Sequence, residues 1–446
     1  MFMEFSQIGR RRLLAGFAAT PLAAALAGAS ASAQARVRTQ AHIVIAGSGA
    51  GGIAIANRLA RGLEGARITI IDGREQHLYQ PGWTLVAGGI WPMERAVLHN
   101  NSRYHPRGIE WVKDYVAEFD PTANTVVTRG GQRIRYDFLV VATGLQLNYK
   151  AIAGMDEAAL GQNGLTSVYA SPQSAASTWK LMDAFRRTGG RAVMTAAHTP
   201  MKCAGAPVKV TFLLDDRMRE VGTRERAEIS YHTGGAALFG VDVYHQDIGR
   251  RFERLGIAHH LQQRLTGIDI GARRATFTTF NAGQPTGQVN TIDYDFIHVV
   301  PPMSAPDAVR NSDLAWKEGP FAGGGWLEVN RETLQHRRFP NVFGIGDING
   351  TPRGKTAATV KGGAPIVAGH LIRAIQNQAP DQKFNGYTSC PLITRVGSAL
   401  LVEFDHDGNL VPTLPLIDPL QDSFFAWVMK VRLLKPAYIA VLRGRA

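Results

Sequence analysis

Two cysteines, Cys203 and Cys390, are the only thiols in a chain of 446 residues. They are too few for a disulfide scaffold or a four-cysteine metal site. Two readings remain: a structural disulfide that closes a long loop, or a redox pair. Lys202 and Lys209 flank Cys203, and a nearby ammonium group favours the thiolate, which is the nucleophilic form. Both cysteines stand among Gly and Pro, in Met201–Pro207 and Gly386–Pro391, which predicts loops rather than periodic core segments and favours the redox pair. These loops are remote in sequence from Gly47–Gly52 and Gly346–Ala358, so thiol chemistry and cofactor binding are expected to be separable. His198 precedes the cysteine loop, while His232, His259 and His260 lack ligand-like spacing; no metal is expected.

A second chemistry is phosphate binding. His42–Ala46 reads as an apolar strand and runs into Gly47-x-Gly49-x-x-Gly52; a helical pattern follows from Ile53 to about Leu63. A second apolar strand, Arg67–Ile71, ends in Asp72, twenty residues after Gly52. Strand, glycines, helix, strand and acid in this order predict a dinucleotide site, with the pyrophosphate at the helix N-terminus and the acid accepting from a ribose hydroxyl. Far downstream, Asn341–Ile345 is another apolar strand, ending in Gly346-Asp347, and Lys355, Thr356, Ala357 and Ala358 read as the start of a helix. The strand is similar to the one that, in flavoproteins with a two-segment FAD site, brings an Asp to the ribityl chain. FAD is therefore expected rather than NAD. The strand Arg191–Ala196 runs not into a second glycine triplet but into His198–Pro207, with proline and cysteine where a pyrophosphate needs bare backbone. NADH is not expected as reductant.

The elements that must position these groups are α/β in pattern. At 45% hydrophobic and 19% charged, the composition excludes disorder, collagen and a polytopic membrane protein. A net charge of +13 without any run of five or six basic residues suits a small anion or an anionic membrane surface, not nucleic acid. Tyr136–Gly144 is echoed by Tyr294–Pro302, and both read as strands returning the chain from a β-rich insertion to a dinucleotide fold. Arg10-Arg11-Arg12, an apolar Leu13–Ala29 run and small residues up to Ala35 make 1–35 a twin-arginine export signal and predict a periplasmic address. At the other end, Phe424, Phe425, Trp427, Leu433 and Leu434 alternate with Lys430, Arg432 and Lys435, and Pro436 breaks any spanning helix. This tail is expected to lie in a bilayer interface.

Four stretches carry a resemblance: HLYQPGWTLVAGG (His77–Gly89), MKCAGAPVK (Met201–Lys209), GDINGTPRGKTAA (Gly346–Ala358) and GYTSCPLIT (Gly386–Thr394). With the basic, Phe-rich tail they resemble the two-cysteine sulfide:quinone oxidoreductases of the FAD-dependent pyridine nucleotide-disulfide oxidoreductase superfamily. A third cysteine carried by many members is absent here. The resemblance implies two tandem Rossmann-like folds with a membrane-associating C-terminal region. The implied division is 41–164 and 301–380 for the two FAD segments, 165–300 for a second fold carrying Cys203, and 381–446 for the region with Cys390 and the tail. It also implies a Cys203–Cys390 disulfide that sulfide opens, a persulfide on one cysteine, two electrons passed through FAD to a membrane quinone, and a sulfur acceptor (a small thiol, sulfite or a growing polysulfide). FAD-contacting positions carried over are Gly47, Gly49, Ala50, Gly51, Gly52, Asp72, Gln80, Val116, Asp347, Lys355, Thr356, Ala357 and Ala358. The protein is then peripheral on a lipid bilayer, its tail shaping a quinone mouth so that deleting it spares the sulfur chemistry, with association into a homo-oligomer left open. The alternative is the flavin subunit of a flavocytochrome c sulfide dehydrogenase, passing electrons to a cytochrome. A sulfur carrier without turnover is disfavoured by the retention of both cysteines and all FAD motifs.

Overall fold

The computed structural model describes residues 36–446. The expected export signal at 1–35 lies outside the described residues.

Ile43, Val44, Ile45 and Ala46 are wholly buried, as are Ile70, Leu139, Val140, Val141, Val342 and Phe343. Strands without a polar face must be covered on both sides, and parallel sheets with crossover helices provide that cover. Accordingly, Val342–Gly344, Phe138–Val141, His42–Ala46, Arg67–Ile71 and Glu110–Val112 form one five-stranded sheet in that order, with every pairing parallel. A second five-stranded sheet runs Leu165–Thr166, Phe296–His298, Gly190–Ala196, Ala227–Thr233 and Ile257–His260, again all parallel.

The internal echo has a structural counterpart. Phe138–Val141 and Phe296–His298 each re-enter a parallel sheet after a three-stranded antiparallel insertion. The insertions are Val116–Asp120, Thr125–Thr128 and Arg133–Arg135 in the first case, and Gln263–Asp269, Arg274–Asn281 and Gln284–Asp293 in the second. In the first sheet the Ala50–Gly62 helix packs against the Ala357–Ile375 helix, so segments about 300 residues apart in sequence share one core that includes Ile55, Leu59, Val367 and Leu371. Such a core, completed only by long-range contacts, binds the two nucleotide segments together.

After an antiparallel hairpin of Thr388–Arg395 and Ser398–Phe404, the tail forms a short helix Phe424–Val428, a π-helical turn Met429–Leu433 and a helix Leu434–Leu442. Pro436 lies in the first turn of that last helix, directly after the π-helical turn, and the helical path continues through it. No helix among the described residues is long and apolar enough to cross a membrane. The tail divides its side chains. Trp427, Val431, Tyr438 and Leu442 are buried in a core shared with Tyr79, Trp83 and Trp91. Phe424 is 70% exposed and Leu433 51%, with Phe425 also exposed. Lys430, expected at a lipid surface, is instead buried.

Candidate active site: a cysteine pair beside a dinucleotide cradle

Cys203 lies within the turn that leads into the Ala206–Glu220 helix, whose N-cap is Gly205 and whose Pro207 suits a first-turn position. Its φ is 47°, a left-handed conformation uncommon for a residue with a Cβ. Hydrogen bonds hold it there: the Cys203 N–H donates to Lys355 O (2.9 Å), and Cys203 O accepts from Ala206 N (2.8 Å) and the Tyr169 hydroxyl (3.1 Å). Strain kept in place by several contacts is characteristic of working sites. Two sequence expectations are corrected at this point. Cys390 lies not in a loop but in the Thr388–Arg395 strand, paired with Val402 and buried; Pro391 is tolerated because its two-stranded sheet leaves an unpaired edge. Nor is the cysteine loop separate from the cofactor segments, since Cys203 bonds directly to Lys355.

The two sulfurs lie 3.7 Å apart and both cysteines are free. A disulfide would need about 2.05 Å, so the implied bond is not formed in this structure, although the pair is in contact. Gly205 makes that approach feasible: a Cβ on it would stand 3.0 Å from the Cys390 sulfur. Lys209, only 1% exposed, reaches both sulfurs from the next helical turn, with Nζ 3.4 Å from Cys203 and 3.3 Å from Cys390. The Cys203 thiol is held well below its ordinary range, chiefly by the hydrogen bond from Cys390 and, against the effect of burial, by Lys209. Cys390 is pushed up by the same hydrogen bond and by burial. Both shifts make Cys203 the more acidic thiol of the pair. Lys202, expected beside the thiol, turns away and donates to Gln80 Oε1 (2.8 Å).

Three further lysines surround the pair, Lys355 and Lys430 buried and Lys202 part-buried. Burial lowers Lys202 to about 8, Lys355 to about 7 and Lys430 to about 8. Lys355 donates to Asp347 O (2.6 Å) and Asn349 O (3.0 Å) and lies 3.6 Å from the Trp326 ring centre. The Asp347 carboxyl is raised by burial, an effect opposed by Lys355 and Lys202. A site with this many buried cations is suited to anionic reactants.

The cradle residues fall into place around the Ala50–Gly62 helix. Gly49 is its N-cap and offers no side-chain cap, so the first-turn N–H groups of Ala50, Gly51 and Gly52 lack side-chain acceptors at the positive end of the helix. A Cβ on Gly47 would overlap Ala142 O, one on Gly52 would overlap Gly47 O, and one on Gly51 would press on Ile345. At Gly49 only an Arg74 nitrogen lies near, at 3.7 Å, leaving room for a pyrophosphate. Asp72 is buried at the end of its strand and accepts from Ser48 N (2.6 Å), Arg74 N (2.8 Å) and the Arg74 guanidinium (2.7 Å). Burial opposes its ionisation, yet Arg74 and these N–H groups keep its carboxyl below the usual range. Val116 opens the Val116–Asp120 strand next to Tyr115, whose ring covers Gly73. Thr356 caps the Ala357–Ile375 helix through Thr359 N, which places Ala357 and Ala358 in its first turn. The Thr143 hydroxyl and Asn349 Oδ1 are buried without partners. A cradle that excludes side chains at three glycines, exposes helical N–H groups and leaves buried polar atoms unpaired fits an FAD.

Sequence reasoning missed Arg74, two residues beyond Asp72, and the inward path of Lys430 and Tyr438. A lone cation between aromatics is as compatible with a lipid face as with a buried pocket.

Residues 41–181 match the family model described as pyridine nucleotide-disulphide oxidoreductase. The mitochondrial sulfide:quinone oxidoreductase of Mus musculus is 34% identical over 395 residues, 88% of this chain and 84% of that protein. Its Dictyostelium discoideum counterpart is 35% identical, over 89% and 84%. The crystal structure of the Aquifex aeolicus sulfide:quinone oxidoreductase superposes with a TM-score of 0.71 at 22% identity, covering 91% of this chain and 92% of that one.

Proposed function

The chain belongs to the sulfide:quinone oxidoreductase family, and on that premise we propose how its own residues perform the reaction. It is an FAD-dependent oxidoreductase that oxidises sulfide with quinone as electron acceptor. FAD, when bound, supplies the two-electron relay between sulfur and quinone. The pair Cys203 and Cys390 carries the sulfur chemistry, and the observation that supports this is the single buried ammonium of Lys209 within 3.4 Å of both sulfurs. In the oxidised state the pair is a disulfide. Hydrosulfide attacks one sulfur, the S–S bond breaks, a persulfide forms on the attacked cysteine, and the electron pair of the broken bond stays on the other as a thiolate. Lys209 stabilises that thiolate. A nucleophilic acceptor then takes the outer sulfur of the persulfide, and two electrons leave the cysteines to restore the disulfide.

Gly47, Gly49, Ala50, Gly51, Gly52 and Arg74 hold the pyrophosphate; Asp72 and Val116 lie on the adenosine side. Gln80, Asp347, Lys355, Thr356, Ala357 and Ala358 surround the flavin end. The first-segment, second-fold and C-terminal division of the chain goes with this assignment. Phe424, Phe425 and Leu433 seat the protein on a bilayer from which quinone enters. Residues 1–35 are a twin-arginine signal and the address is periplasmic.

Anaerobic sulfide titration of the purified holoenzyme tests the reading. Sulfide should bleach the flavin absorbance, and a short-chain quinone should restore it. NADH should do neither, because His198–Pro207 occupies the second pyrophosphate position. Rapid bleaching by NADH would overturn the assignment.

A further inference from the structure

The π-helical turn Met429–Leu433 faces two ways. Outward it presents Leu433, exposed like Phe424 and Phe425 of the preceding helix. Inward it sends Lys430, 3% exposed, whose Nζ donates to Pro81 O (2.6 Å). A π turn interrupts the i→i+4 pattern of a helix and is found mostly where function demands an unusual side-chain direction. Here it separates one cation from the apolar edge on either side of it.

Pro81 belongs to the single 3-10 turn Gln80–Gly82. On the neighbouring residue of that turn, Gln80, the side chain accepts from Lys202 of the cysteine loop (2.8 Å). The turn is thus gripped by two lysines, the buried Lys430 from the tail and the part-buried Lys202 from the segment that carries Cys203. Neither lysine has a carboxylate within ion-pair distance among the described residues. Lys430 feels the repulsion of Lys209 and the attraction of both cysteines. Cys203 touches Lys209 from the Ala206–Glu220 helix, Cys390 from its strand and Tyr169, and it is coupled electrostatically to Asp347, Lys202 of its own loop and Lys430 from the tail.

We propose that Lys430 is a positioning residue for the Cys203 thiolate, and that seating Phe424, Phe425 and Leu433 on a bilayer holds it in place, so that membrane attachment raises thiolate reactivity. The coupling rests on the membrane reading given under Proposed function. The route is short: the outward residues and Lys430 share ten consecutive positions, and Lys430 and the cysteine loop share one turn.

The test measures iodoacetamide modification of Cys203 in reduced holoenzyme, read on its peptide by mass spectrometry across pH 5–9. It is run with and without vesicles of mixed phosphatidylcholine and phosphatidylglycerol, with sedimentation recorded in parallel. Wild type should sediment, and its rate at the acid end should rise roughly threefold to tenfold when vesicles are present. Lys430→Met should sediment equally and keep its FAD, but react more slowly and without response to vesicles. Lys430→Gln retains an N–H donor for Pro81, so it separates lost charge from a lost hydrogen bond and replaces the Met variant if that fails to fold. Wild type that sediments with an unchanged profile overturns the coupling, as does a neutral variant that still responds. If wild type does not sediment, the membrane reading falls, and equal rates for wild type and variant then overturn the positioning role too.

Discussion

Lys209 reaches Cys203 and Cys390 at nearly equal distance, so its charge alone does not choose between them. The difference lies in their surroundings: Cys390 is buried in a strand, whereas Cys203 is part-buried on a strained turn and accepts the hydrogen bond from Cys390. In the reduced pair Cys203 is therefore expected to be the more acidic thiol and Cys390 the one that keeps its proton. Replacing Lys209 with Met keeps the volume and removes the charge. Sulfide-driven bleaching should slow by at least about tenfold, and the pH at which Cys203 is alkylated should move up; an unchanged stopped-flow trace would remove Lys209 from the chemistry. Cys203→Ser and Cys390→Ser should each abolish sulfide oxidation. Both should retain FAD, because the bond between Cys203 and Lys355 uses the backbone N–H, which serine keeps. Absorbance of the purified variants checks the second point independently of the first.

Between the cradle and the tail, the linking element is a buried histidine. His77 Nδ1–H donates to Asn101 Oδ1 (2.8 Å), its Nε2 accepts from the Tyr438 hydroxyl (2.7 Å), and Asn101 donates on to Arg74 O (2.7 Å). The C-terminal helix is thereby tied to the residue that holds Asp72. Burial lowers His77 to about 4. Its folded pKa lies below its unfolded value near 6.5, so the unfolded chain binds the extra proton first. The stability is fully present above pH 6.5 and is lost as pH falls toward 4, amounting to about 2 kcal/mol by pH 5. Urea unfolding at pH 7 and pH 5 should show that loss, and His77→Gln should reduce the difference; identical pH dependence in both would dismiss the tie. The nucleotide elements were legible because each is local: Ile43–Ala46 is continuously apolar, and the Gly47–Gly52 spacing leads straight into its helix. The echoed returning strands were legible for the same reason, with Phe138 and Phe296 entering alike. The Cys390 strand was not, because Gly386 and Pro391 signal a break while the pairing that overrides them lies with Ser398–Phe404.

At the scale of the whole molecule, the tail is both part of the core and the source of its exposed apolar edge, so cutting it off cannot distinguish the two roles. Asn57 on the Ala50–Gly62 helix donates to Leu442 O (3.0 Å), Arg61 to Arg443 O (2.6 Å), and Arg58 reaches Ala446. Removing residues 422–446 would expose the face of the nucleotide-binding helix and take Lys430 away from the cysteines. The expectation that truncation spares the sulfur half-reaction is therefore replaced: the truncated chain should lose FAD and soluble expression together. A surface variant isolates the membrane role instead. Phe424→Asp, Phe425→Asp and Leu433→Asp combined change only exposed side chains and leave Trp427, Val431, Tyr438 and Leu442 packed. Withdrawing three such side chains from an interface forfeits roughly 1.5–3 kcal/mol each, enough to abolish sedimentation with vesicles. Bleaching by sulfide should persist, and a water-soluble short-chain quinone should still reoxidise the flavin, while turnover with a long-chain quinone embedded in vesicles should fall. A triple variant that still sediments and still reduces the embedded quinone at the full rate would place the bilayer contact elsewhere on the protein.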